Sequence, residues 1–107
     1  MSRSKTPKWF DYVEQKHPKF VEALDQLGRS VREEGPLDSK TANLIQLAAA
    51  AAIRSEGAVH SHTKRALEAG AKQEEIIHAV ILLTSTIGFP NVSAALSWIE
   101  DVVRKNG

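Results

Sequence analysis

With 107 residues and a mass of 11.7 kDa, the chain has the length of one domain, and 42% hydrophobic against 25% charged residues is the composition of an ordinary folded globule. Fourteen Lys+Arg against thirteen Asp+Glu leave a formal charge of +1, spread evenly along the chain, so a nucleic-acid partner has no electrostatic footprint. Cysteine is absent, which excludes disulfides, thiolate metal ligands and any thiol chemistry carried by this chain alone.

Met1 to Thr6 is polar and basic and reads as a flexible N-terminus; residues 7–107 read as a single helical domain. Thr6-Pro7 suggests a cap followed by proline at the first helical position. Lys8 to Lys16 carries Trp9, Phe10, Tyr12 and Val13 at helical spacing, and His17-Pro18 interrupts it. From Pro18 to about Glu34, the positions Phe20, Val21, Ala23, Leu24, Leu27 and Val31 keep the period of a second helix, which Gly35-Pro36 stops. Asp38 is the expected N-cap of a third helix running to about Ser55, with five alanines, Ala48 to Ala52, suited to close helix approach. Gly57 is expected to break or bend the chain before a fourth helix, Ala58 to Ala69, with Gly70 as its C′ residue.

A fifth helix opens at Lys72 with Glu74 and Glu75 in its first turn and is apolar nearly all round from Ile76 to Ile87. A helix of that kind needs cover on every side, and a second subunit is the expected cover, with Val80 and Leu83 at the contact. Gly88-Phe89-Pro90 ends it, and a last helix follows from Pro90 or Asn91 to about Lys105. No strand alternation and no internal repeat occurs. The expected class is all-α, about six helices in an oligomeric bundle.

Four histidines are the first candidates for chemistry: His17, His60, His62 and His78. His60 and His62 are two apart, so on a helix they point about 200° away from each other and cannot share an ion. Glu75-x-x-His78 is half of a carboxylate-bridged di-iron pattern, but the bridging acids are missing from Leu44 to Ile53, so no metal site is expected. His17 reads as a turn residue, His78 as a surface contact of Glu74, and His60 as a contact of Glu56 one turn earlier.

His62 stands apart because of its setting. Leu37-Asp38-Ser39-Lys40-Thr41-Ala42-Asn43-Leu44-Ile45, the alanine-rich helix, Ser55-Glu56-Gly57-Ala58-Val59-His60-Ser61-His62-Thr63, Ala66 to Ala71, Glu74-Glu75-Ile76 and Gly88-Phe89-Pro90 follow in an order that resembles the carboxymuconolactone decarboxylase family, which includes alkylhydroperoxidase D. The resemblance covers about residues 37–100. It implies a homo-oligomer, trimer or hexamer, built through these helices. The family's redox branch uses a Glu, then Cys-x-x-Cys, then a His four residues on. Anchored on His62, the two cysteine positions are Ser55 and Ala58 and the glutamate position is Asn43, so only the imidazole is kept. Neither serine nor alanine forms a disulfide with a partner thiol, so peroxidase activity of that type survives only if another protein supplies the cysteines.

The decarboxylase branch needs neither thiol nor cofactor, and what the resemblance implies there is a lyase acting on a small carboxylated or lactone substrate. His62 would be the general acid/base, with His60 a second candidate. Asn43 would orient His62 or donate to an oxyanion. Arg54, Lys64 and Arg65 are the nearby cations for substrate acid groups, and Phe89 is placed with them in substrate binding. The Glu-Leu-x-x-His pattern of that branch has lost its Glu in Ala58-Val59-His60-Ser61-His62. Two other readings stay open: His62 as a buried histidine satisfied by a backbone carbonyl, and the whole chain as a non-catalytic oligomeric scaffold for a ligand or partner. No apolar run reaches the ~20 residues of a membrane span, and no signal-type segment opens the sequence, so no membrane partner and a cytoplasmic location are expected.

Overall fold

The computed structural model describes residues 8–106. The expected flexible opening, Met1 to Thr6, and the Thr6-Pro7 cap lie outside the described residues. Among those described the chain is all-α: α1 (Lys8–Lys16), α2 (Pro18–Glu33), α3 (Ser39–Ala52), α4 (Glu56–Glu68), α5 (Gln73–Ile81), α6 (Thr84–Ile87) and α7 (Phe89–Asn106). Six have nine residues or more, and α6 is one turn of four. None is long and apolar enough to cross a membrane. The chain divides into two compact units, one ending at Pro36 and one beginning at Leu37, so the division falls at the Gly35-Pro36 stop inside the 7–107 stretch.

In the first unit α1 and α2 form a helical hairpin. His17 closes α1 through its N–H to Val13 O at 2.7 Å, and Pro18 opens α2 at a position where no amide donor is needed. Val21 is the buried contact of α2. The rest of its apolar stripe is not covered: Phe20, Leu24, Leu27 and Val31 are between 48% and 59% exposed, and Trp9 and Tyr12 of α1 are exposed too. The helical period was correct for α2, but that period says only that one face is apolar, not what covers it.

The second unit is built on α3 and α4, joined by a three-residue corner. Asp38 caps α3 as expected, its carboxylate accepting the Thr41 N–H at 2.8 Å. That bond holds the Asp38 carboxyl below the usual carboxylate range. The corner differs from expectation. Gly57 is an ordinary residue in the first turn of α4; the break falls earlier, at Ile53–Ser55, where Arg54 takes the left-handed conformation at φ 56°. The Arg54 N–H bonds Ala51 O at 3.1 Å and the Ser55 N–H bonds Ala50 O at 3.0 Å, the paired closure usually built on glycine. Ser55 then serves as N-cap of α4, its hydroxyl accepting the Ala58 N–H at 3.4 Å.

The same closure ends α4 where glycine was expected. The Gly70 N–H reaches Leu67 O at 3.0 Å, and the Ala71 N–H reaches Ala66 O at 2.9 Å, with Gly70 at φ 97°. A Cβ on Gly70 would meet nothing within 4 Å, so Gly70→Ala isolates the backbone cost. That variant should lose about 1 kcal/mol in urea unfolding, with the slope unchanged.

The expected fifth helix is two pieces. Leu82 and Leu83 form a turn between α5 and α6, and the Thr84 hydroxyl donates to Ile81 O at 2.7 Å. A hydroxyl so placed competes with the helical amide ladder, and Thr84-Ser85-Thr86 is a cluster of that kind. Glu75 fixes the start of α5: its carboxylate accepts the Lys72 N–H at 2.8 Å and pairs with Lys40 Nζ at 3.2 Å. The Lys72 N–H first, and then Lys40, hold its carboxyl below the usual range.

The core joins Leu47, Ala50 and Ala51 of α3, Val59 and Ala66 of α4, Ile76 and Val80 of α5, and Val92, Ala95 and Ile99 of α7. Val80 is thus fully covered by its own chain, and the sequence pairing of Val80 with Leu83 at a subunit contact needs correction. The uncovered apolar residues of this region are Ile81, exposed at 47%, and Leu82, at 63%.

Candidate functional site

The α3–α4 pair carries the positions singled out in the sequence. Ala58 lies in the first turn of α4, packed against the core, and Ser55 is occupied as the cap of that helix. Because α4 runs unbroken from Glu56 through His62, the seven positions from Ser55 to His62 span roughly 10 Å of helix rise. A hydroxyl nucleophile and its base need about 3 Å. Ser55 and His62 are therefore too far apart to act as a hydroxyl nucleophile and its base.

His62 sits at a boundary. The residue is partly exposed while its Nδ1 is shut off from solvent. Its neighbour Thr63 is fully buried, and the Thr63 hydroxyl has no hydrogen-bond partner among the described residues. On α3, Asn43 is buried; its amide Nδ2 donates to Ser39 O at 2.9 Å, and its Oδ1 has no hydrogen-bond partner among the described residues. The Oε1 of Gln46, one turn on, is likewise buried without one. Buried oxygens lacking a partner cost about 1–3 kcal/mol each, so a stretch of two helices with three of them is unusual. With its amide hydrogens directed at Ser39, Asn43 offers an acceptor rather than an oxyanion donor.

The proposed cations differ in their duties. The Arg54 guanidinium donates to the Asn91 Oδ1, and the Asn91 amide donates to Ile87 O at 2.7 Å, so Arg54 ties the α3–α4 corner to the start of α7. Asn91 was not foreseen as its partner, because nothing local links positions 37 apart. Lys64 is partly buried and Arg65 exposed, both on α4. Phe89 opens α7 with 61% of its surface exposed. His60 donates through Nε2 to Asp101 Oδ2 at 3.0 Å, and the Glu56 carboxylate lies within 4.8 Å of both. The expected Glu56 neighbour is therefore present, but the direct bond goes to α7. His17 is exposed at the α1–α2 turn, and among the described residues His78 makes no ion pair with Glu74.

In the first unit an open cleft of about 440 Å3 is lined by Glu14, Pro18, Lys19, Val21, Glu22, Asp25 and Arg29. None of the candidate residues above lines it.

Residues 18–101 match the carboxymuconolactone decarboxylase family, and the chain belongs to that family. It is 33% identical over 92 residues to the uncharacterized protein MJ1511 of Methanocaldococcus jannaschii, covering 86% of each chain. It is 35% identical over 63 residues to an uncharacterized protein of Haemophilus influenzae, covering 59% of this chain and 56% of that one. The fold is that of apo-lpg0406, a carboxymuconolactone decarboxylase family protein from Legionella pneumophila, with a TM-score of 0.75 at 23% identity over 88% of this chain and 87% of that one.

Proposed function

We propose that this family member is a cofactor-free lyase acting on a small carboxylated or lactone substrate, with His62 as its proton donor and acceptor. The observation that carries the reading is the group of buried, partnerless oxygens of Asn43, Gln46 and Thr63 on the same helix pair as His62. Apolar side chains at these positions would cost less to bury; of the three groups the Thr63 hydroxyl can donate to a substrate oxygen, and the Asn43 and Gln46 carbonyl oxygens can accept from a protonated group.

In the reaction, cleavage of the carbon–carboxylate bond releases CO2 and leaves an electron pair on carbon as a carbanion or enolate. Protonated His62 gives that carbon a proton and is reprotonated from solvent. Lys64 and Arg65 are the cations left to hold substrate acid groups, since Arg54 is engaged with Asn91. Asn43 Oδ1 is suited to accept an N–H and orient a ring. A small-carboxylate panel should raise the melting temperature of the wild type by mass action and leave His62→Ala unmoved. No shift with any acid, or equal shifts in both proteins, would refute a His62-centred site.

A second reading, a non-catalytic scaffold, is favoured by a different observation: Ser55, Arg54 and His60 are all taken up by structural bonds. Under either reading the protein acts as a homo-oligomer. The exposed apolar stripe of α2 and the exposed Ile81 and Leu82 support this, because monomers rarely leave contiguous apolar faces of that kind in water.

A further inference from the structure

We propose that Glu56, His60 and Asp101 form a binding site for a divalent transition-metal cation of the zinc class, on the face where α4 and α7 pack. One ligand atom from each residue lies within 4.8 Å of the other two, and His60 Nε2 and Asp101 Oδ2 are already 3.0 Å apart. Ligand atoms around one tetrahedral ion bound at about 2.1 Å are separated by roughly 3.4 Å, so only small side-chain adjustments are needed.

The donor set has the right chemistry. Two carboxylates with a neutral imidazole balance a dication, and one nitrogen with two oxygens suits zinc or its neighbours better than magnesium, which prefers oxygen alone. Glu56 and His60 are four apart and share one face of α4, as paired helical ligands must. The third arm comes from α7. Both helices are anchored beside the ligands: Val59 precedes His60, Val102 follows Asp101, and both valines are buried. That anchoring fixes where the side chains start, as a binding site requires.

On binding, Nε2 gives up its proton, to Nδ1 of the same ring or to solvent, and the ring holds the ion as a neutral imidazole protonated on Nδ1. Three protein ligands leave a coordination position to water, and the partial exposure of His60 makes the ion exchangeable. The site is separate from His62, whose side chain leaves α4 in another direction, and it does not rest on the lyase reading.

Titration of metal-free, full-length protein with zinc chloride in magnesium-containing buffer, followed by calorimetry, tests the site. Wild type should bind one saturable equivalent and melt at a higher temperature with zinc present. His60→Ala and Asp101→Asn should each weaken binding at least about tenfold, and His78→Ala should change nothing. Asp101→Asn keeps the side-chain shape and its capacity to accept from His60, so a folded variant is assured by the same melting curve without metal. Wild-type affinity in either variant, or no saturable binding by wild type, would overturn the proposal and leave an ordinary surface hydrogen bond.

Discussion

Val80→Asp should leave no folded protein at ordinary temperatures, seen as loss of the cooperative melt in circular dichroism. Val80 is completely covered, in one cluster with Leu47, Ile76, Val92 and Ala95. A carboxylate placed there has no cation in that cluster, and even a protonated carboxyl would lack hydrogen-bond partners. The cost is several kcal/mol, against a total margin of about 5–15 kcal/mol for a domain. Leu83→Asp should be far milder, since Leu83 is only partly buried beside the α5–α6 turn. A Val80→Asp protein melting within a few degrees of wild type would contradict the core assignment. Equal damage from both substitutions would restore the idea that the two share a subunit contact.

The second large effect concerns assembly. Wild type should scatter light as an oligomer, and the double change Leu24→Glu with Leu27→Glu should bring the mass down to the 11.7 kDa of one chain. Both leucines lie on the exposed stripe of α2, so the substitutions add charge without opening a cavity in the core. The helical content should persist. A monodisperse monomer from the wild-type sequence would contradict the proposed oligomer.

Local signals explain which parts of the fold were readable beforehand. Pro18, Asp38, Gly70 and Gly88 each act through their own backbone chemistry, and helix ends at those residues lie where the sequence places them. The α3–α4 corner was misplaced for the same reason in reverse. Ala48 to Ile53 reads as unbroken helix, Gly57 looks like the breaker, and arginine is not a residue expected at φ 56°. The Arg54–Asn91 bond repays part of that conformation, and such a bond exists only after α7 has docked. The split of α5 from α6 had a signal, the hydroxyls of Thr84, Ser85 and Thr86, which the apolar run overshadowed.

At the site, the family order of Asn43, Ser55, Ala58 and His62 was legible because motif spacing within α3 and α4 is local. That Asn43 turns its amide hydrogens to Ser39 was not, since either end of an amide can face inward. Glu56 with His60 was visible as a one-turn pair. Asp101, 41 residues from His60, was not, because only the packing of α4 on α7 brings it there.

The most direct measurement follows CO2 released from a panel of small lactone and carboxylate substrates by wild type and by His62→Ala. Wild type should release it without added thiol or cofactor, and the variant should be slower by about 10²- to 10⁴-fold, the usual contribution of a positioned acid or base. Equal rates in the two proteins would contradict the account, as would sustained catalytic reduction of organic peroxides by a chain that contains no cysteine.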